Sequence, residues 1–138
     1  MTLAYLGIGS NQDARQAIPE GIHALTEYGC ILRTSPIYRS PAMGFQGADF
    51  YNLVLEMETE LNLTLFAQGL RTIEYQCGRS AQAAKNQDRR LDIDILLFGE
   101  QVSTQKPIVP RPDIYHCPFV IQPLYDLRPD LILSLIHI

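Results

Sequence analysis

LDIDILLFG, residues 91–99, alternates aspartate with isoleucine and then runs through large apolar residues to a glycine. This pattern predicts a β-strand over residues 91–98. Because alternate residues of a strand share a face, Asp92 and Asp94 would lie side by side, about 6–7 Å apart. Two carboxylates at that spacing repel each other unless a cation lies nearby, and carboxylate oxygens suit Mg²⁺. A solvated polar face on an edge strand is the alternative interpretation.

The segment before this strand is basic. Residues 79–90 hold four cationic side chains and one aspartate, a local charge of +3 in a chain of net charge −4. Carboxylates for a metal beside guanidinium groups for phosphate oxygens are what a Mg-nucleotide requires. A solvated basic loop is the alternative. The cationic residues are Arg79, Lys85, Arg89 and Arg90.

Apolar periodicity predicts the other elements. We expect strands over residues 3–8, 31–40 and 52–59, with Pro36 making the second an edge or bulged strand. Helices are predicted over residues 14–28, 65–78 and 118–127, with Asn11 or Asp13 capping the first and Thr64 the second. The order is β-α-β-β-α-β with a C-terminal appendage. It predicts an α+β, ferredoxin-like core whose mixed or antiparallel sheet has helices packed on it.

Length and composition restrict the class of protein. The 138 residues predict a single domain over 1–138, and 46% hydrophobic with 19% charged residues argues against disorder. The net charge of −4 argues against broad nucleic-acid binding. We expect no membrane span, since no apolar run approaches about 20 residues. The N-terminus has no secretory pattern, which predicts a cytoplasmic protein. Pro36 on an edge strand favours a monomer.

The cysteines predict no disulfide scaffold and no zinc site. Cys30, Cys77 and Cys117 are far apart in sequence, their number is odd, and they form no CxxC pair. We interpret them as small buried or half-buried thiols.

Seven segments together resemble the 6-hydroxymethyl-7,8-dihydropterin pyrophosphokinase family of the folate pathway. The resemblance runs from about residue 4 to residue 131, and the early GSN followed by LDIDILLFG is its most specific part. The segments are AYLGIGSN (4–11), SPIYRSPAMG (35–44), DFYNLVLEMET (49–59), IEYQCGR (73–79), RRLDIDILLFG (89–99), VPRP (109–112) and FVIQPLYDLRPDL (119–131).

The resemblance implies a single-domain pyrophosphokinase that transfers the β,γ-diphosphate of ATP to the hydroxymethyl group of 6-hydroxymethyl-7,8-dihydropterin and releases AMP. It implies that Asp92 and Asp94 hold two Mg²⁺ ions, that Arg79 and Arg89 contact the triphosphate, and that these four residues are the catalytic set. The other nucleotide-binding residues that it implies are Ile95, Lys106, Ile108 and Arg111. The implied pterin-binding residues are Ser40, Pro41, Met43, Phe50, Asn52 and Phe119. Glu74, in the nucleotide-side helix, is expected to be structural.

The chain departs from the family pattern at substrate contacts. Where the family usually has an arginine, a loop aromatic, a histidine and another arginine, this chain has Ala81, Asn86, Arg111 and Cys117. Arg90 and His116 are candidates to compensate.

Four interpretations of these departures stay open. The chain is an active enzyme with altered contacts, a slow or specialised paralogue, a non-catalytic pterin or nucleotide binder on the same fold, or an unrelated α+β domain. We expect the first, because an acid pair without a cation serves no purpose in the fold.

Overall fold

The computed structural model describes residues 1–41, 47–78 and 90–131. Within these ranges no helix is long and apolar enough to cross a membrane. The elements in chain order are β1 (Thr2–Ser10), α1 (Ala14–Leu25), β2 (Cys30–Thr34), β3 (Tyr38–Ser40), β4 (Phe50–Thr59), α2 (Leu63–Gln76), β5 (Asp92–Phe98), α3 (Asp113–His116) and α4 (Pro118–Leu127).

The strands form one sheet in the order β2-β4-β1-β5, and β3 also pairs with β4. Each strand pairing in the described part of the chain is antiparallel. With β2 and β3 counted as one interrupted strand, the order is that of the ferredoxin-like fold. The predicted α+β class is therefore confirmed, and the sheet is antiparallel rather than mixed.

Both faces of the sheet are covered. Helices α1 and α2 cover one face, where Phe66 and Ile73 pack with Leu6 and Leu55. Helices α3 and α4 cover the other face, in a smaller cluster that includes Leu124. The alternating pattern of β4 predicts a half-buried strand, but residues 53–57 are all buried. The prediction was wrong because α4, which is distant in sequence, covers the second face.

Proline divides the strand that the sequence predicts over residues 31–40. Pro36 lies between β2 and β3, which pair with successive parts of β4. Proline has no N–H to donate to a ladder. Ser35 bridges the gap, because its N–H donates to the Val54 carbonyl at 2.8 Å and its Oγ accepts from the Val54 N–H at 2.9 Å.

The predicted helix caps need two corrections. Asn62, not Thr64, caps α2, since its Oδ1 accepts from the Leu65 N–H at 2.9 Å. Asp13 occupies the N-cap position of α1, but its carboxylate makes no cap hydrogen bond and instead accepts from Arg90 at 3.2 Å. Helix α1 therefore begins without a side-chain cap, because the Asp13 carboxylate is ion-paired with Arg90.

A buried polar network joins the end of α4 to the sheet. Glu56 is 6% exposed and accepts from Arg33 Nε at 2.9 Å and from the Tyr5 hydroxyl. Arg33 also donates to the Leu127 carbonyl at 3.0 Å, and Arg128 donates to the Tyr5 hydroxyl at 3.1 Å. The hydrogen bond from Arg33 lowers the pKa of Glu56 although burial opposes it.

This network predicts a loss of stability in acid. The folded-state pKa of Glu56 lies below its unfolded value of about 4.3, so its contribution is complete above that pH and is lost as the pH falls through the folded pKa. We expect Glu56→Gln to lower the free energy of unfolding by about 1–3 kcal/mol at neutral pH. The difference from wild type should shrink below about pH 4. Urea denaturation at several pH values measures it, and a difference that does not change with pH would contradict the assignment.

Candidate active site

Asp92 and Asp94 lie on the same face of β5, as the sequence predicts. Ile93 and Ile95 point to the other face and belong to the core under α1 and α2. In the register with β1, Asp92 is opposite Gly9 and Asp94 is opposite Gly7. Since glycine has no side chain, each aspartate faces a cross-strand neighbour that leaves space around its carboxylate.

The outer edge of β5 is held by two contacts. The carboxylate of Glu74, which is 3% exposed, accepts from the Ile93 N–H at 2.8 Å. The Arg111 N–H donates to the Leu96 carbonyl at 2.9 Å. These two contacts fix the backbone on both sides of Asp94, which agrees with the structural role expected of Glu74.

A cleft of about 640 Å³ runs along β5, between α2 and the segment 106–111. It brings together six residues that the resemblance assigns to the metal and nucleotide: Asp92, Asp94, Ile95, Lys106, Ile108 and Arg111. Helix α2 adds polar residues that the sequence analysis missed, namely Thr64, Gln68 and Arg71. Their spacing of four and three residues places them on one helix face, which is the signal that could have found them.

Arg111 supplies a positive charge to the acid pair. Its Nη2 lies 3.7 Å from Asp94 Oδ1, and its Nε donates to Asp113 Oδ2 at 3.1 Å. Burial acts to lower the pKa of Arg111, but Asp94, Asp113 and Asp92 raise it, and the net shift is upward. The guanidinium therefore stays charged while it contacts Asp94.

The predicted pterin residues lie farther along the same sheet face. Asn52 pairs with Gly9, which pairs with Asp92, so these three residues form one row across the sheet. Two strand spacings separate the ends of this row by about 10 Å. Asn52 Nδ2 donates to Ser40 Oγ at 2.9 Å, and Ser40 is the cross-strand partner of Phe50.

Two further pterin-site predictions fall at the ends of elements near this row. Pro41 is exposed immediately after β3, and Phe119 is half-buried in the first turn of α4. Helix α4 packs over β3 and β4. Five predicted contacts or departures lie outside the described residues, namely Met43, Arg79, Ala81, Asn86 and Arg89.

Arg90 and His116, the two candidates to compensate for missing family contacts, do not line the cleft. Arg90 is ion-paired with Glu20 at 2.8 Å and Asp13 at 3.2 Å, and it donates to the Cys77 carbonyl at 3.2 Å. It therefore connects α1 to the end of α2 and does not extend the basic surface of the cleft. His116 is exposed at the end of α3, and the half-buried Cys117 precedes α4.

Substitutions at Gly9 and Gly7 test the role of Asn52, which lies in one row with Gly9 and Asp92. A Cβ at Gly9 would lie 2.9 Å from Asn52 Oδ1, whereas one at Gly7 would make an ordinary 3.5 Å contact with Leu96. We expect Gly9→Ala to turn the Asn52 amide away from Ser40 and to raise the KM for the pterin about tenfold, the equivalent of one good hydrogen bond. Gly7→Ala is the control and should change this KM little. Equal effects of the two substitutions on the KM would contradict the role given to Asn52.

A carboxylate pair and a guanidinium group that face one cleft define a candidate phosphoryl-transfer site, because such sites position phosphates and offset their charge. Comparison with known proteins gives the family. The model of the family described as 7,8-dihydro-6-hydroxymethylpterin-pyrophosphokinase (HPPK) matches residues 5–129. The chain belongs to this family of folate-biosynthesis pyrophosphokinases, and the alternative of an unrelated α+β domain is wrong.

Curated relatives extend over nearly the whole chain. The chain is 31% identical to a 2-amino-4-hydroxy-6-hydroxymethyldihydropteridine pyrophosphokinase of Haemophilus influenzae, over 96% of this chain and 86% of the relative. It is 34% identical to the Aquifex aeolicus protein of that name, over 96% of this chain and 84% of the relative.

A solved structure supports the fold alone. The crystal structure of Plasmodium falciparum HPPK-DHPS wild type with SDX-DHP matches with a TM-score of 0.67 at 15% identity. The match covers 94% of this chain and 40% of that longer chain.

Proposed function

We propose that this chain catalyses Mg²⁺-dependent transfer of diphosphate from ATP to the hydroxymethyl group of 6-hydroxymethyl-7,8-dihydropterin, with release of AMP. The observation that carries the proposal is the Asp92–Asp94 pair, which faces the cleft in a chain that belongs to the pyrophosphokinase family. The predicted nucleotide residues that the structure describes line that cleft, and three of the pterin residues lie on the same sheet face.

The donor set fits Mg²⁺. Among the described residues, no group of three or more His, Cys, Asp or Glu side chains forms a closed metal site. Mg²⁺ is usually held by one or two carboxylates, with water and substrate phosphates completing its coordination. Asp92 and Asp94 would provide the carboxylates, and bound Mg²⁺ supplies positive charge that offsets phosphate charge. Two ions is the number that the resemblance implies, and it stays a prediction.

The chain's own residues divide between the two substrates. Arg111 and Lys106, with Arg79 and Arg89, would bind phosphate oxygens. Ile108, which is 42% exposed, would contact the apolar surface of the nucleoside, and Ile95, whose side chain packs in the core, would line the cleft beside it. On the pterin side, the Asn52 amide offers a donor and an acceptor to a heterocycle edge while Ser40 fixes its orientation. Phe50 and Phe119 would provide stacking faces, and Pro41 and Met43 would complete the pocket.

Positioning is the main task of these residues. The nucleophile is a neutral primary alcohol that attacks the β-phosphorus in line with the AMP leaving group. Holding the pterin by Asn52 and the nucleotide by Arg111 fixes the distance and direction between the reacting atoms. Preorganised cations around the transferring diphosphoryl group stabilise the charge that develops on it. We assign no side-chain base to the alcohol.

Chromatographic detection of AMP tests the proposal. Purified protein is incubated with ATP, Mg²⁺ and 6-hydroxymethyl-7,8-dihydropterin, with a control that lacks the pterin. We expect AMP only when all components are present. If folded protein leaves ATP intact, the transfer proposal fails.

The second candidate is a non-catalytic binder, which the residues Ala81, Asn86 and Cys117 favour. Arg90, whose ion pairs are with α1, supports it as well. Calorimetric pterin or nucleotide binding without turnover would establish that function.

The expected cytoplasmic location and the expected monomer stay predictions. Gel filtration tests whether the protein is a monomer.

A further inference from the structure

The fold holds Arg111 beside the acid pair through contacts that need no ligand. Its N–H donates to the Leu96 carbonyl on β5, and its Nε donates to Asp113. The nearby Val109 is 1% exposed and exchanges two backbone hydrogen bonds with Ser103, at 2.8 and 3.2 Å. The hydrogen bond from Arg111 to Leu96 attaches this segment to β5, and the pair between Val109 and Ser103 closes the loop that precedes it. These contacts hold the guanidinium beside Asp94.

This position offsets the charge of the acid pair. Two aspartates carry two negative charges, and Arg111 supplies one positive charge 3.7 Å from an oxygen of Asp94. The side chains of Arg111 and Asp94 are 38% and 32% exposed, so solvent and salt screen their interaction only in part. A divalent cation that binds Asp94 therefore meets a positive charge already at that carboxylate, and at this short distance the partly screened repulsion between the two cations opposes metal binding.

We propose that Arg111 is a resident counter-cation that competes with the divalent metal for Asp94. It weakens metal binding by the nucleotide-free protein, so that the metal binds well only together with the anionic nucleotide, whose phosphates give the guanidinium new partners. The inference rests on the proposed function, in which Asp92 and Asp94 bind the metal. It concerns a feature in which this chain departs from the resemblance, which implies that the family usually has histidine at this position.

Titration of Mn²⁺ into the nucleotide-free protein, followed by electron paramagnetic resonance, tests the competition. We expect Arg111→Gln to lower the dissociation constant for Mn²⁺ about tenfold or more. Arg111→Met is a second neutral variant, and it should have the same effect if the glutamine variant fails to fold. Arg15→Gln is the matched control, because it removes one positive charge from an exposed position on α1 that does not line the cleft.

A double-mutant cycle locates the effect. In an Asp94→Asn background, Arg111→Gln should tighten Mn²⁺ binding much less, since the contested carboxylate is gone and only Asp92 remains. Unchanged or weaker Mn²⁺ binding by the folded neutral variants, or an equal gain in Arg15→Gln, would overturn the inference. Wild-type AMP formation is measured in parallel. If the wild-type protein forms AMP but the neutral variants bind Mn²⁺ no more tightly than the wild type does, this inference alone is rejected. If the wild-type protein forms no pterin-dependent AMP, the proposed function is rejected.

Discussion

Replacing Asp94 by asparagine is expected to lower kcat for AMP formation by about 100- to 1,000-fold, the loss typical of removing one preorganised electrostatic group from an active site. The amide keeps the shape of the side chain but removes the negative charge that the proposed metal site needs. Since Asp94 faces the cleft and belongs to neither core cluster, the fold should be kept. Single-turnover and steady-state assays with saturating ATP and pterin measure the change.

Asp130→Asn is the matched control for this substitution. Asp130 is an exposed carboxylate that is ion-paired with Arg128 at 3.0 Å, beyond the end of α4 and outside the cleft. It should retain nearly wild-type turnover. The urea midpoint of each variant separates a loss of chemistry from a loss of folding. Wild-type turnover in a folded Asp94→Asn protein would rule out the role that we give to this carboxylate.

Replacing Glu74 by alanine is expected to have the second-largest effect, on both stability and activity. The substitution removes a buried carboxylate that accepts from the Ile93 N–H and leaves this edge N–H without that acceptor. Loss of such a buried partner costs about 1–3 kcal/mol of folding free energy. Because Ile93 lies between Asp92 and Asp94, turnover should fall as well, through the position of both aspartates.

Glu74→Gln distinguishes positioning from charge. The glutamine side-chain carbonyl can still accept from the Ile93 N–H, so we expect this variant to recover most of the stability and turnover. Urea denaturation and the AMP assay are run on both variants. If Glu74→Gln were as damaging to both as Glu74→Ala, the carboxylate would have a role other than holding the edge of β5.

Local pattern predicted the elements of this fold well, because alternation and helical spacing are set by neighbouring residues. The helix over residues 118–127 was predicted with the bounds that α4 has, and Pro36 correctly marked an irregular strand. The burial of Val54 and Glu56 was not predicted, since it depends on α4, which follows them by more than 60 residues. A periodic pattern indicates that a segment has an apolar face, but it does not indicate which distant segment packs on that face.

The candidate site, like the fold, was predictable from the sequence only where neighbouring residues determine it. The shared face of Asp92 and Asp94 follows from the two-residue repeat of a strand, so the sequence was sufficient to predict it. The contact of Arg111 with Asp94 joins residues 17 apart and depends on how the segment after β5 turns back onto that strand. The resemblance placed Arg111 at the nucleotide, but its effect on the acid pair required the structure.

The way in which β5 is held also affects how molecules of this protein meet one another. An edge strand exposes N–H and C=O groups that can pair with a strand of a second molecule and begin aggregation. Here the Ile93 N–H and the Leu96 carbonyl are both engaged within the chain, by Glu74 and by the Arg111 N–H. The strand that carries the acid pair can therefore lie open to substrates at the border of the sheet while it resists intermolecular strand addition.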